Sequence, residues 1–245
     1  MTVDPTVTVL LYSSLAAATA VLGAFPFVLH ERLPVARIGW ANALAAGMML
    51  GAAYALMALA AQYGLGRTAG GALLGILFVY WTHLASSTED LDLNRIDEPG
   101  PEYGYQVLFI NAMHSAAEGV AIGVAMHVNI SFGIFMALAI AAHNIPEATI
   151  LCAILTGRGV RVVNAGGLAV ATNVSQVLLA IVTYAVVAAV PILLPWALGF
   201  AVGTLVYLVL AELLPESYHQ AGSTTIALVT IAAMGMVVLL GQFGG

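Results

Sequence analysis

Lysine is absent from this chain, and its six basic residues are all arginine. Charge of either sign is scarce: Asp, Glu, Lys and Arg make up 7% of 245 residues, where a soluble domain carries about 25%. With 62% hydrophobic residues and a mean hydropathy of +1.01, that scarcity excludes a soluble globular protein and implies an integral membrane protein. The net charge of −6 comes mostly from loop carboxylates, so nucleic acid is excluded as a partner. A single cysteine, Cys152, excludes an internal disulfide and a multi-cysteine metal site, and it reads as a small apolar core residue. MTVDPTV at the start lacks basic residues, and the apolar segment behind it exceeds a typical signal-peptide core. That segment therefore reads as a retained first helix. Every loop is too short to bury a core, so no soluble domain is expected.

What is present is a series of apolar runs near the length of about 20 residues that a spanning helix needs. The pattern predicts an all-α, polytopic membrane protein forming a single domain over 1–245. Its eight helices are expected at 6–29, 39–63, 68–87, 105–127, 131–156, 162–190, 192–214 and 222–243. Pro5, Pro34, Pro101, Pro191 and Pro215 fall at or near the breaks, where a missing N–H costs least. Thr172, Asn173, Ser175 and Gln176 interrupt the sixth run. Arg32, Arg37, Arg95, Arg158 and Arg161 fall on one side of such a bundle and Arg67 on the other. The five-arginine side is then cytoplasmic and both termini extracytoplasmic. The longest loop, 88–104, is acidic and rich in turn formers. It reads either as a solvated connector or as a weak cation-attracting or regulatory segment.

GMMLGAAYALMAL (47–59) echoes GTLVYLVLAEL (203–213), which suggests a three–two–three arrangement of helices with inverted halves, a known plan for transporters. Gly47 and Gly51, like Gly71 and Gly75, sit four apart and would let helices approach closely.

The chemistry gathers between residues 111 and 155. In NAMHSAAEGVAIGVAM (111–126), His114 is followed four residues later by Glu118; in AIAAHNIPEATILCAIL (139–155), His143 is followed by Glu147. Residues four apart share a helix face, so each helix offers an imidazole and a carboxylate in one direction. Packed face to face, the two would bring four ligands together. An ionised Glu at mid-membrane costs about 2.5 kcal/mol or more, and two near each other would rather protonate. A divalent cation cancels two carboxylates. Imidazole with carboxylate suits Zn²⁺, with Fe²⁺, Mn²⁺, Cd²⁺ and related ions also fitting. The lack of cysteine ligands fits an ion that must be released. Pro146 lies between His143 and Glu147, frees the carbonyl of Ala142 and re-aims the two ligands, if it is more than a harmless kink.

HSAAEGVAIG (114–123) with HNIPEA (143–148) resembles the paired metal motifs of the ZIP (Zrt/Irt-like) divalent-metal transporters, specifically the short prokaryotic type. GMML (47–50) and AELLPES (211–217) extend the likeness over nearly the whole chain. The resemblance implies that His114, Glu118, His143 and Glu147 form the primary transport site, with Met49 as a thioether neighbour. Many ZIP proteins hold a second metal with help from the residue after each His and an acidic residue in helix six. Those positions here are Ser115, Asn144 and Asn173, all neutral, so one well-bound metal is expected and any second one weak. Ala148 replaces a Gly common after the motif Glu, and loop 88–104 lacks the His-rich stretch of some relatives. The resemblance further implies a homodimer, and helices one, four, five and six moving against two, three, seven and eight.

Other candidates keep two readings. Glu212 and Glu216 are either an exit relay for the cation or interface carboxylates. Met48 and Met57 read as apolar packing. His83, His30, His127 and His219 read as hydrogen-bonded core or helix-end residues.

The sequence thus points to a divalent-metal transporter in the cytoplasmic membrane, moving zinc or a similar ion toward the cytoplasm, with no enzymatic cofactor. Its partners are the ion, the lipid bilayer and a second copy. The rival readings are a membrane-embedded zinc hydrolase, for which there is no H-E-x-x-H motif, and a proton-coupled carrier of an organic solute. Protons and metal compete for the same His and Glu atoms. Zinc affinity of the purified protein is therefore expected to fall as pH falls through the range in which those ligands protonate, as binding isotherms over a pH series would show.

Overall fold

The computed structural model describes residues 4–86 and 101–243; Arg95 and most of the acidic 88–104 loop lie outside them. Among the described residues the chain is helical throughout, and eight helical runs are long and apolar enough to cross a membrane. They are α1 (Pro5–Leu29), α2 (Val35–Tyr63), α3 (Leu65–Ser86), α4 (Glu102–Val128), α5 (Ile130–Gly157), α6 (Val162–Ala189), α7 (Pro191–Ala221) and α8 (Ser223–Phe243).

Local chemistry sets the ends. Asp4 caps α1 by accepting a hydrogen bond from the Thr6 amide at 2.8 Å, and Pro5 fills the first turn, where no N–H is needed. Pro34 starts α2 at Val35, four residues before the apolar run that marks it in the sequence. Between α4 and α5 one residue, Asn129, is non-helical. Its amide donates to the Ala125 carbonyl and its side chain accepts from the Phe132 amide, ending one helix and starting the next.

Two runs are irregular inside. In α6 the helix breaks at Asn173 and resumes at Val174, at the polar cluster visible in the sequence. In α7 the helix does not stop at Pro215 but continues to Ala221, after a π-helical turn over Val209–Leu213. The proline is accommodated because it stands in the first turn of the segment after the π turn, where the hydrogen-bond ladder has already shifted.

Burial ranks the helices. In α4 and α5, 78% of the most apolar window is buried, against 22–39% in α1, α3, α6 and α8. The pair α4–α5 is therefore the centre, and the peripheral helices present Leu10, Leu74, Leu178 and Ile231 outward, as lipid requires. Trp40, Tyr63, Trp81, Tyr105 and Tyr218 are exposed near helix ends, where amphipathic rings suit the bilayer interface.

Glycine sets which helices lie closest. A Cβ on Gly199 would strike the Thr68 carbonyl and one on Gly71 the Trp196 carbonyl, so α3 and α7 meet backbone to backbone. Gly119 fits against the Gln176 carbonyl (α4 on α6), and Gly47 against the Thr230 carbonyl (α2 on α8). Gly199→Val is accordingly expected to lower thermal stability in detergent by about 1–3 kcal/mol or more. Gly167→Ala, where nothing lies within 4 Å, is expected to stabilise by up to about 1 kcal/mol.

Candidate metal centre

The polar side chains of α2, α4, α5 and α7 meet in one cavity inside the bundle. Met49, His114, Glu118, His143, Glu147, Glu212 and Glu216 all line it, with Asn42 and Ala45. All four residues of the two His-x-x-x-Glu pairs therefore face the same space. They do not form a single quartet, however.

Glu118, His143 and Glu147 make the first cluster. His143 Nε2 lies 2.9 Å from Glu118 Oε1 and 3.5 Å from Glu147 Oε2, and all three residues are buried. Ligand atoms of the three lie within 4.8 Å of one another. Ligands around zinc at about 2.0–2.2 Å stand roughly 3.3–3.6 Å apart, so small side-chain movements would close the three around an ion. Glu118 Oε2 is buried without a hydrogen bond, an acceptor with nothing to accept. Pro146 passes through α5 without ending it. One residue before the carbonyl that Pro146 frees, the Thr19 hydroxyl of α1 donates to the Ala141 carbonyl at 2.8 Å and ties α1 to α5.

His114, one turn before Glu118 on α4, belongs to a second cluster with His83 of α3 and Glu212 of α7. Its Nε2 is 3.6 Å from Glu212 Oε2, and His83 Nε2 is 2.7 Å from Glu212 Oε1. These three also offer ligand atoms within 4.8 Å of one another. His83, read from the sequence as a core histidine, and Glu212, read as relay or interface carboxylate, thus share one cluster. Two signals point to them in retrospect. Each is an ionisable residue inside an apolar span, which is a functional hypothesis by default. Glu212 also sits in the π-helical turn, and such turns concentrate at functional sites.

The three neutral positions lie behind the first cluster. Ser115 donates to Asn173 Oδ1 at 3.2 Å, and the Asn173 amide group donates to the Ala169 carbonyl at 2.8 Å. Asn144 Nδ2 donates to the Ala16 carbonyl at 2.9 Å and to Gln176 Oε1 at 3.1 Å. The polar interruption of α6 therefore faces inward. Ser115, Asn144 and Asn173 tie α1, α4, α5 and α6 together by hydrogen bonds. Met49 is buried at the cavity wall.

A family model described as ZIP zinc transporter matches residues 83–241. The chain belongs to the ZIP zinc transporter family. The matched region starts at His83 and takes in both ligand helices and Glu212. Two curated relatives carry zinc-transporter names. A protein of Arabidopsis thaliana provisionally named as a zinc transporter is 34% identical over 225 residues, covering 90% of this chain and 36% of its own length. The zinc transporter GufA of Myxococcus xanthus is 31% identical over 159 residues, covering 64% of this chain and 62% of its own length. This ZIP chain thus spans about a third and somewhat under two thirds of the relatives it matches.

Gln176 is the buried acceptor that holds Asn144 in place. Gln176→Leu is expected to lower stability in detergent by about 1–3 kcal/mol. Thermal unfolding of the two proteins in the same detergent reads the loss.

Proposed function

We propose that this ZIP chain carries zinc, or a divalent ion of similar chemistry such as Fe²⁺, Mn²⁺ or Cd²⁺, across a membrane. The observation that carries the reading is the convergence of Glu118 and Glu147 on His143 Nε2 inside a lipid-spanning bundle. Two carboxylates and one imidazole give a divalent ion full charge balance and mixed O/N ligation. His114 and Met49 border the same cavity. Behind them, the Ser115–Asn173 and Asn144–Gln176 hydrogen bonds are neutral and supply no further charge for a second ion beside the first.

The cavity's asymmetry supports a direction. Asn42 and Ala45 lie in the first half of α2, and Leu213 and Glu216 in the second half of α7. Counting helices places all four toward the face that carries Arg32, Arg37, Arg158 and Arg161. By the positive-inside rule this is the cytoplasmic face, with the termini on the other side. The ion would then leave toward the cytoplasm, and in a prokaryotic cell the host membrane would be the cytoplasmic one.

The glycine contacts support two helix groups. They pair α3 with α7, α2 with α8 and α4 with α6, which is consistent with α2, α3, α7 and α8 forming one group and α4 and α6 belonging to the other. Relative movement of the groups, in a homodimer, would open the ion site to each side in turn.

Zinc uptake into proteoliposomes tests the reading. Wild-type protein is expected to load vesicles with zinc, and the double variant His143→Ala, Glu147→Ala to fall to the protein-free rate. Uptake by the double variant equal to wild type, or zinc-dependent hydrolysis without flux, would reject it.

A further inference from the structure

We propose that α1 is a splint for the interrupted ligand helix. Thr19 and Gly23 are positioning residues that set the angle at which His143 and Glu147 of α5 face Glu118. The inference rests on the transport reading above and deepens it. Neither residue lines the cavity, so both act through α5.

The need for a splint comes from Pro146. It stands between His143 and Glu147 and has no N–H, so the Ala142 carbonyl loses its partner within the helix. A helix bends most readily at such a missing rung, and here the rung lies between the two ligands. His143 Nε2 nevertheless meets Glu118 Oε1 at 2.9 Å and Glu147 Oε2 at 3.5 Å. Something outside α5 has to fix the bend.

α1 meets α5 at three places that bracket the break. The Thr19 hydroxyl also reaches the Ala16 carbonyl of its own helix at 2.7 Å, and it donates to the Ala141 carbonyl at 2.8 Å, two residues before His143. Asn144, which follows His143, donates to the Ala16 carbonyl at 2.9 Å. Ala148, which follows Glu147, lies against Gly23. A Cβ on Gly23 would come 2.5 Å from the Ala148 carbonyl carbon and 2.6 Å from the Thr149 nitrogen. Ala141, Asn144 and Ala148 are spaced three and four apart and form one stripe on α5. Ala16, Thr19 and Gly23 repeat that spacing on α1.

α1 is itself held in place there. Directly after Thr19 it tightens into a 3₁₀ turn over Ala20–Ala24, a winding that inside a helix often marks a functional or strained point. Ala20 and Ala24 pack in one core with Ala148 of α5 and with Ala165 and Ala169 of α6. A Cβ on Gly166 of α6 would lie 3.1 Å from the Ala24 Cβ. The turn is thus wedged between α5 and α6. A side chain added at Gly23 would press on the α5 main chain beside Glu147.

Zinc affinity of the full-length protein in detergent, measured by competition with a zinc-chelating dye alongside thermal unfolding, tests this. Thr19→Val keeps the size of the side chain and removes the donor. Gly23→Ala adds the one carbon that strikes Ala148. Both are expected to weaken zinc binding about tenfold or more, the order of loss seen when the groups that orient metal ligands are removed. Thr19→Ser, which keeps the hydroxyl, is expected to bind zinc like wild type. Thr230→Val removes a similar bond elsewhere, from the Thr230 hydroxyl of α8 to the Ala43 carbonyl of α2 at 3.3 Å. It should lower the unfolding temperature and leave zinc affinity unchanged. Wild-type affinity in Thr19→Val would overturn the splint whether or not Gly23→Ala folds, and so would an equal loss of affinity in Thr230→Val. A wild-type protein that neither binds zinc nor carries it into vesicles would instead overturn the transport reading, and the splint with it.

Discussion

Three carboxylates, Glu118, Glu147 and Glu212, are buried inside a bundle built to stand in hydrocarbon. Each would cost several kilocalories per mole if left ionised and alone. The arrangement of the interior follows from that constraint. Each carboxylate stands within 3.6 Å of an imidazole, and each imidazole comes from a neighbouring helix or the adjacent turn. An imidazole is the appropriate companion because it can donate a proton when no cation is near and offer a lone pair when one is. A lysine or arginine there would neutralise the acid permanently and repel a metal. The chain contains no lysine, and none of its described arginines lines the cavity.

The apolar remainder serves this interior. Gly47, Gly71, Gly119 and Gly199 let partner helices touch main chain to main chain, which makes stiff pairs without using polar contacts. The hydrogen-bonded polar residues of α6 hold α1, α4 and α5 at the rear of the first cluster. What is left between the stiff pairs is the cavity. Its lining is contributed from both sides, so its shape depends on how the pairs stand to each other.

The helix count and the ligand helices were legible in the sequence because both signals are local. Apolar length declares a span, and His114/Glu118 and His143/Glu147 declare a shared face by spacing alone. Membership in the ZIP family was legible for the same reason, since its motifs are short runs within single helices. The division of ligands was not legible. Whether His114 meets Glu118's partners or crosses to Glu212 depends on the relative depth of α3, α4 and α7, which no local pattern encodes. The continuation of α7 past Pro215 was hidden too. A proline at the end of an apolar run reads as an end, and a π turn has no sequence signature strong enough to contradict it. The inward aim of Thr172, Asn173 and Gln176 was hidden because polar residues in a span look alike whether they mark a break or a buried network.

Asn129 is the whole connection between the two ligand-bearing helices. A hairpin hinged on one doubly bonded residue has no slack: neither arm can slide along the other unless that corner unravels. The short corner keeps Glu118 and His143 on neighbouring helices that meet closely. Under the transport proposal, exposure of an ion to either side would come from movement of the helices that surround this hairpin.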